Sequence, residues 1–313
     1  MLKYLGKRFA RSIVTLCIII VIVFLLLRLM PIEGYFQNYD KLTEAQIQAG
    51  LENMGLNKPF FVQLFEFLKN LLKGDLGVSR TYRANVAIAD IITDKIPISM
   101  RFGVVSIGIS MLFGIPMGIL MAKSKGKIFD KIGTGFIVFI EAVPAAVYFL
   151  FIQVYGTEWL HLKLLYKPND PTTWLLPLFS LSIGNISYYA MWLRRYMVDE
   201  SNKDYVKLAK AKGRSSNQIM FLHVFRNAFV PMIQYIPTSI LNTMIGSIYV
   251  ESLYSIPGMG GLLVNVVQKQ DNMMVQALVI LFASVGILGL MLGDVLMCVI
   301  DPRINLTKKG GAR

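Results

Sequence analysis

The sequence predicts an all-α, polytopic membrane protein: six transmembrane helices, cytoplasmic N- and C-termini, and an external insertion between helices 1 and 2. Three observations lead there. Of the 313 residues, 55% are hydrophobic and only 16% charged, where a soluble domain carries ~25% charged residues and so has the polar surface to cover a globule. Six stretches reach about the 20 apolar residues that a ~30 Å hydrocarbon core demands of a helix. Basic residues alternate in density from loop to loop, as topology requires. The same composition argues against other classes. Two cysteines, Cys17 and Cys298, both in apolar runs, do not make a secreted disulfide scaffold. Two histidines without a Cys/His cluster do not make a zinc site.

The six stretches are 12–30, 98–122, 132–155, 174–193, 228–250 and 275–300. The first follows Lys3, Lys7, Arg8 and Arg11, as a signal peptide would, but its apolar run exceeds the ~7–15 residues of a signal and no small-residue cleavage site follows. It is read as a retained span. An even number of spans puts both termini on one side. The N-terminus, loops 123–131 and 194–227 and the tail together hold 20 Lys/Arg, whereas 31–97, 156–173 and 251–274 hold 10 across more residues. The first group therefore faces the cytoplasm. The net charge of +13 is largely this asymmetry, and a nucleic-acid partner is not needed to explain it.

Within the insertion, Pro59–Lys73 carries Phe60, Phe61, Leu64, Phe65, Leu68, Leu71 and Leu72 at helical spacing, with Gly74 as a stop. It is either a cap that shapes a pore mouth or an amphipathic helix lying in the membrane interface. The cytoplasmic loop 194–227 is more informative. Tyr205, Leu208, Ala209 and Lys212 share a helical face, and Gly213 offers the left-handed residue that ends a helix. Ser215-x-x-Gln218 reads as a capping box for a second helix, which Pro231 ends or kinks. The product is a helix–Gly–helix hairpin whose exposed face, Ala209, Ala211 and Gly213, is small and ringed by cations. On physics alone it is either a solvated connector or a plug for a partner's groove.

Charges inside spans are costly and point to function. Glu141 lies mid-span near Pro144 and should face the protein interior, a pore or a partner chain. Asp294, near the cytoplasmic end of the last span, is a packing or pairing residue. Glu251 closes span five on the outside, and Arg28 and Arg101 snorkel from span ends. No G-x-x-x-x-G-K-[ST], H-E-x-x-H or G-x-S-x-G occurs, so neither a P-loop nor two common hydrolase layouts are present. No catalytic, metal or cofactor residue is assigned; the chain reads as a conduit or scaffold, not an enzyme.

At this point the residues resemble a known family. Segment 204–231, DYVKLAKAKGRSSNQIMFLHVFRNAFVP, resembles the "EAA" coupling loop of ATP-binding-cassette importer permeases, and its Asp-Tyr-Val start and Ala-Lys-Gly turn resemble the oligopeptide/dipeptide (nickel) subfamily. Further blocks agree: Arg28-Leu29-x-Pro31, Gly74-Asp75-Leu76-Gly77-x-Ser79, Val250-Glu251-x-x-Tyr254-x-x-Pro257-Gly258-Met259-Gly260, and Asp301-Pro302-Arg303-Ile304. Their order spans residues 1 to about 305 and fits the "B"-type member of a permease pair. The chain departs from the general pattern at Lys207 and Leu208, where Glu and Ala are usual, and at Asp271, which is followed by Asn-Met-Met in place of a common Pro.

The resemblance implies a permease subunit of an ATP-driven importer. It would pair with a second homologous permease, two cytoplasmic ATPases that bind ATP and Mg, and an external peptide-binding protein, in the cell membrane. The substrate would be oligopeptides or dipeptides, the alternative being a nickel chelate or another small solute. Asp204, Tyr205, Leu208, Ala209, Ala211, Lys212, Gly213 and Arg214 would couple to the ATPases. Apart from the resemblance, Asn242, Thr243 and Ser247 are polar at helical spacing in span five, and with the costly charges Glu141 and Glu251 they are expected to line the path. Pro257, Gly258, Gly260, Asp294, Asp301, Pro302 and Arg303 would be structural. The expected division is 1–30 for the N-terminus and first span, 31–97 for the insertion, 98–305 for the permease core and 306–313 for the tail.

Overall fold

The computed structural model describes residues 2–300 except residue 37. Asp301, Pro302 and Arg303, and the tail 306–313, lie outside the described residues. Every named element among the described residues is helical. In chain order these are α1 (Leu2–Arg28), α2 (Glu44–Asn53), α3 (Phe60–Leu72), α4 (Ile88–Lys123), α5 (Ile128–Ala142), α6 (Ala145–Glu158), α7 (Leu175–Ser201) and α8 (Asp204–Ala211). They continue with α9 (Ser216–Gln218), a π-turn over Ile219–Phe225, α10 (Arg226–Ile233), α11 (Tyr235–Asn242), α12 (Ile248–Leu253), α13 (Met259–Gln268) and α14 (Asn272–Ile300).

Three helices are long and apolar enough to cross a membrane, at Gly6–Arg28, Ile88–Lys123 and Asn272–Met297, and two bent pairs raise the number to five. The chain is thus a multi-pass membrane protein. Stretch 174–193 folds as α7, which is 27 residues long but too polar to be counted. Its Ser180, Ser182 and Ser187 are buried in a helix packed on α4, α5, α6 and α10, so little of it needs to be apolar for lipid. The predicted span 132–155 is corrected: α5 and α6 meet at an angle of 107°, because Pro144 starts α6 and cannot continue the hydrogen-bond ladder of α5. The predicted span 228–250 is also corrected. It bends by 43° between Ile233 and Tyr235, shortly after Pro231, and α11 stops at Asn242. Finally, α4 begins ten residues before the predicted 98, with Pro97 inside it, so Arg101 is an exposed residue of the fourth turn rather than a span end.

Close helix approach holds the bundle together. Gly114 and Gly118 of α4 form a G-x-x-x-G step onto α7, where an added Cβ would sit 2.9 Å from the Ile186 and Ala190 carbonyl oxygens. Gly289 and Gly293 of α14 repeat the device against Thr238 and Gln234. Such steps let backbones pack where lipid offers no hydrophobic drive for association.

Polar contacts define two ends of the bundle. At one, Asp294 pairs with Arg8 and accepts from Gln234 Nε2 at 2.8 Å, Arg194 grips Asp130 through two bonds, and Lys123 donates to Asn217. Asp294 is therefore a pairing residue. At the other end, Arg28 donates to the Tyr35 hydroxyl at 2.8 Å and lies 4.6 Å over the Phe24 ring, so it is packed rather than snorkelling. Gln153 donates to the Leu253 carbonyl there. The six predicted stretches correspond to six segments, α1, α4, α5–α6, α7, α10–α11 and α14, of which three helices, or up to five with the bent pairs, are long and apolar enough to cross a membrane.

The insertion covers the second end. On α3, Phe67 stacks on Phe24 of α1 and Phe60 meets the same ring edge-on, and Phe67 and Leu71 face Met273 and Ala277 of α14 across a small cleft. Phe61, Phe65 and Leu72 on its other side are exposed.

Asp271, in the turn before α14, ties the Gly74–Ser79 block to the bundle. It is fully buried, and its Oδ2 accepts from Ser79 Oγ at 2.6 Å and from the amides of Arg80, Thr81 and Tyr82 at 3.0 Å each. Its Oδ1 caps α14 through the Met274 amide. Asp271→Ala would orphan donors at ~1–3 kcal/mol for each one left without water. The expected outcome is rapid limited proteolysis within 74–87 in the folded variant; wild-type resistance would contradict the latch.

Candidate functional site

Two features stand out. The first is a cavity of about 200 Å³ among α4, α7 and α11, next to the start of α12. Its wall combines Asn242, Thr243, Ser247 and Glu251 with Ser106, Asn185 and Ser239. Four of the five residues predicted to line a path therefore meet, although not on one helix as their spacing suggested. Asn242 ends α11, Gly246 turns the chain with φ +74°, and Ser247 caps α12 by accepting from the Val250 amide. Glu141 lies apart from them, exposed on α5, with Ser187 Oγ 3.5 Å away.

Glu251 is buried to 2% exposure and both of its oxygens are used. Oε1 accepts from Ser99 Oγ at 2.7 Å and the Ser247 amide at 3.3 Å; Oε2 accepts from the Gly260 and Gly261 amides at 2.7 and 3.1 Å. Ser99 in turn accepts from the Met259 amide at 2.8 Å. One carboxylate thus receives the first free N–H groups of α13, which no intrahelical bond can satisfy, and fastens them to α4. The Pro-Gly-x-Gly block exists to let this happen. A Cβ on Gly258 would lie 2.5 Å from Glu251 Oε2, and one on Gly260 would lie 2.5 Å from the Ser247 carbonyl carbon. Ser99 was missed by sequence reasoning, since a lone serine in an apolar span carries no pattern.

The second feature is the hairpin. α8 ends at Gly213 (φ +73°) in a Schellman motif, with the Arg214 amide on the Ala209 carbonyl and the Gly213 amide on that of Lys210. Ser215 then caps the next helix through the Gln218 amide. The face is corrected in one respect. Val206 and Ala209 are buried, against Met197 and Val224 among others, because they sit three residues apart on the side toward α7. Leu208 (56% exposed), Ala211, Lys212, Gly213 and Arg214 face outward. Tyr205 donates to Glu200 at 2.8 Å and accepts from Asn227 Nδ2 at 3.1 Å, linking α8 to α7 and α10. Burial pushes its phenol up to about 12, so it keeps its proton and its donor role at physiological pH. Asp204 points into water beside Lys207, which lowers its carboxyl below the ordinary range.

Comparison with known proteins adds three findings. Residues 114–306 match the family described as the binding-protein-dependent transport system inner membrane component, and residues 1–102 match the N-terminal membrane component of such systems. The chain is 31% identical over 310 residues to an oligopeptide transport system permease protein of Haemophilus influenzae, covering 97% of this chain and 100% of that one. To a dipeptide transport system permease protein of Lactococcus lactis it is 28% identical over 306 residues, covering 98% and 100%. A crystal structure of an amino acid ABC transporter with histidines aligns with a TM-score of 0.52 at 15% identity, over 69% of this chain and 95% of that one, which is a likeness of fold.

The Glu251 network generates a prediction. Glu251→Gln turns one pair of donors toward an amide NH2, at ~1–3 kcal/mol for a buried group left unsatisfied. The melting temperature of the purified protein in detergent should fall by several degrees. An unchanged melting temperature would contradict the keystone role of the carboxylate.

Proposed function

The chain belongs to the family of binding-protein-dependent transport system inner membrane components, and on that premise we propose that it is one of two permease subunits of an ATP-driven peptide importer. All six segments cross the cell membrane, with both termini and the hairpin in the cytoplasm. A second homologous permease completes the path, two ATPases binding ATP and Mg dock beneath, and an external binding protein delivers oligopeptides or dipeptides.

The observation that carries this reading is mechanical continuity between hairpin and cavity. α7 holds the hairpin through Leu193 and Met197 and lines the cavity through Asn185, ~18 Å away at 1.5 Å per residue. The helices that follow Ser215 likewise lead to Ser239, Asn242 and Thr243. A partner that pushes on Leu208 and its cationic rim therefore tilts the cavity wall itself, and two arrangements of the bundle would open the path alternately. Hydroxyls and amides on that wall offer many weak hydrogen bonds, and its carboxylate, Glu251, has both oxygens already engaged, which suits peptides of varied side chain. Glu141, exposed on α5, faces either the path or the second permease.

Gly213 provides the test. An added Cβ there meets nothing within 4 Å, so substitution acts only through the left-handed backbone, at ~1–2 kcal/mol for an ordinary residue. Gly213→Val should lower uptake of labelled peptide by about an order of magnitude in the reconstituted transporter, a drop equivalent to ~1.4 kcal/mol of coupling, while basal ATPase activity and assembly persist. Gly213→Asn, which tolerates this conformation, should retain most uptake. Equal uptake in all three proteins would overturn the lever, and uptake of nickel in place of peptide would overturn the substrate.

A further inference from the structure

Where α1 begins, a cavity of about 330 Å³ opens between α1 and α14 that neither the path nor the hairpin uses. Lys7, Arg8 and Arg11 form its polar end, the hydroxyl residues Ser12 and Thr15 follow along α1, and Ile287 and Leu290 of α14 supply the facing apolar wall. Among the described residues, no carboxylate lines it. Arg8 is engaged by the buried Asp294, whose other oxygen is held by Gln234. Lys7 and Arg11 lie one turn apart, are exposed, and make no ion pair among the described residues. Lys7 and Arg11 thus place two positive charges at the mouth beside the Arg8–Asp294 pair.

Position in the membrane narrows what could occupy this space. The uncharged run of α1 begins after Arg11, so the two cations sit at the level where hydrocarbon gives way to headgroups. From Lys7 to Thr15 the cleft continues ~12 Å inward along the helix, past hydroxyls to an apolar wall. Phe9, Ile13 and Val14 are exposed on adjoining positions of α1, so the surface around the cleft is apolar. A soluble anion would use the cations and leave the apolar wall wet. A zwitterionic lipid would bring its own cation to a site that already has two in excess. A phosphodiester with a single negative charge and a fatty chain satisfies both parts, in the manner of basic pockets between membrane helices. We infer that the α1–α14 cleft is a binding site for an anionic phospholipid, whose phosphate meets Lys7 and Arg11 and whose chain lies against Ile287 and Leu290. Bound there, the lipid would brace α1 against α14 beside the Arg8–Asp294 pair.

Native mass spectrometry of the detergent-purified full chain, with whatever subunits copurify, tests this. Phosphatidylglycerol and phosphatidylcholine of identical chains serve as probes. The wild type should retain phosphatidylglycerol several-fold better than phosphatidylcholine. The double variant K7Q/R11Q should bring the two to parity, and Ile287→Trp, which fills the cleft and leaves every charge in place, should lower phosphatidylglycerol retention several-fold. Lys269→Gln, at the other end of the bundle, should leave the preference intact. If K7Q/R11Q does not fold, Ile287→Trp decides alone. Equal retention of the two lipids by the wild type, or an unaltered preference in Ile287→Trp, would overturn the site. Displacement of phosphatidylglycerol by millimolar inorganic phosphate would overturn it as well, by showing a plain anion site; persistence of the lipid supports it.

Discussion

A backbone amide freed inside a membrane protein has no water to turn to, and this constraint organises the end of the bundle opposite the hairpin. The chain breaks there repeatedly, at the turns before α12, α13 and α14. Each break frees N–H groups that the helices cannot use. Two buried carboxylates collect such groups, from these turns and from the insertion loop at residues 80–82. Glu251 takes amides from Ser247, Gly260 and Gly261, and Asp271 takes those of Arg80, Thr81, Tyr82 and Met274. Ser99 and Ser79 add hydroxyls to the same oxygens. In place of ion pairs, these acids are held by fixed dipoles, which tolerate burial well when every lone pair is occupied.

The opposite end is built on another plan. There the charges are paired, Arg194 with Asp130 and Arg8 with Asp294, and the hairpin rests on an apolar patch that includes Leu193, Met197, Val206 and Ile219. Sliding apolar contacts and flexible arginines permit small displacements more readily than a shell of short bonds to one carboxylate. In the proposed transporter the cavity lies between a stiff frame and a movable base, so a push on the hairpin becomes a change in the cavity wall instead of a rigid shift of the whole chain.

Much of this was legible in the sequence because it depends on local rules. The first and last apolar runs became α1 and α14, Gly213 ended a helix where a left-handed residue was needed, and Ser215 capped the next. What was not legible depends on partners distant in the chain. Glu251 was read as a path residue from its position in an apolar stretch, but its bonds to Ser99 lie 152 residues away. The G-x-x-x-G step of α4 is ordinary glycine usage until α7 is placed against it. Pro144 marked an interruption of its apolar run, but the 107° turn there was not legible, since hydropathy sums do not register the direction of the chain. Ala209 was assigned outward by spacing alone, and only the location of α7 shows which side of α8 is inside.

The central claim is that the hairpin at residues 204–231 receives force from a nucleotide-driven motor. The most direct measurement places one cysteine at Leu208, with Cys17 and Cys298 replaced by Ser, and asks what a short bifunctional reagent joins to it in the assembled transporter. The account predicts a crosslink to an ATPase chain whose yield changes when ATP is trapped by vanadate. Labelling of that cysteine in intact cells by a reagent that cannot pass the membrane, with no crosslink to an ATPase, would contradict it.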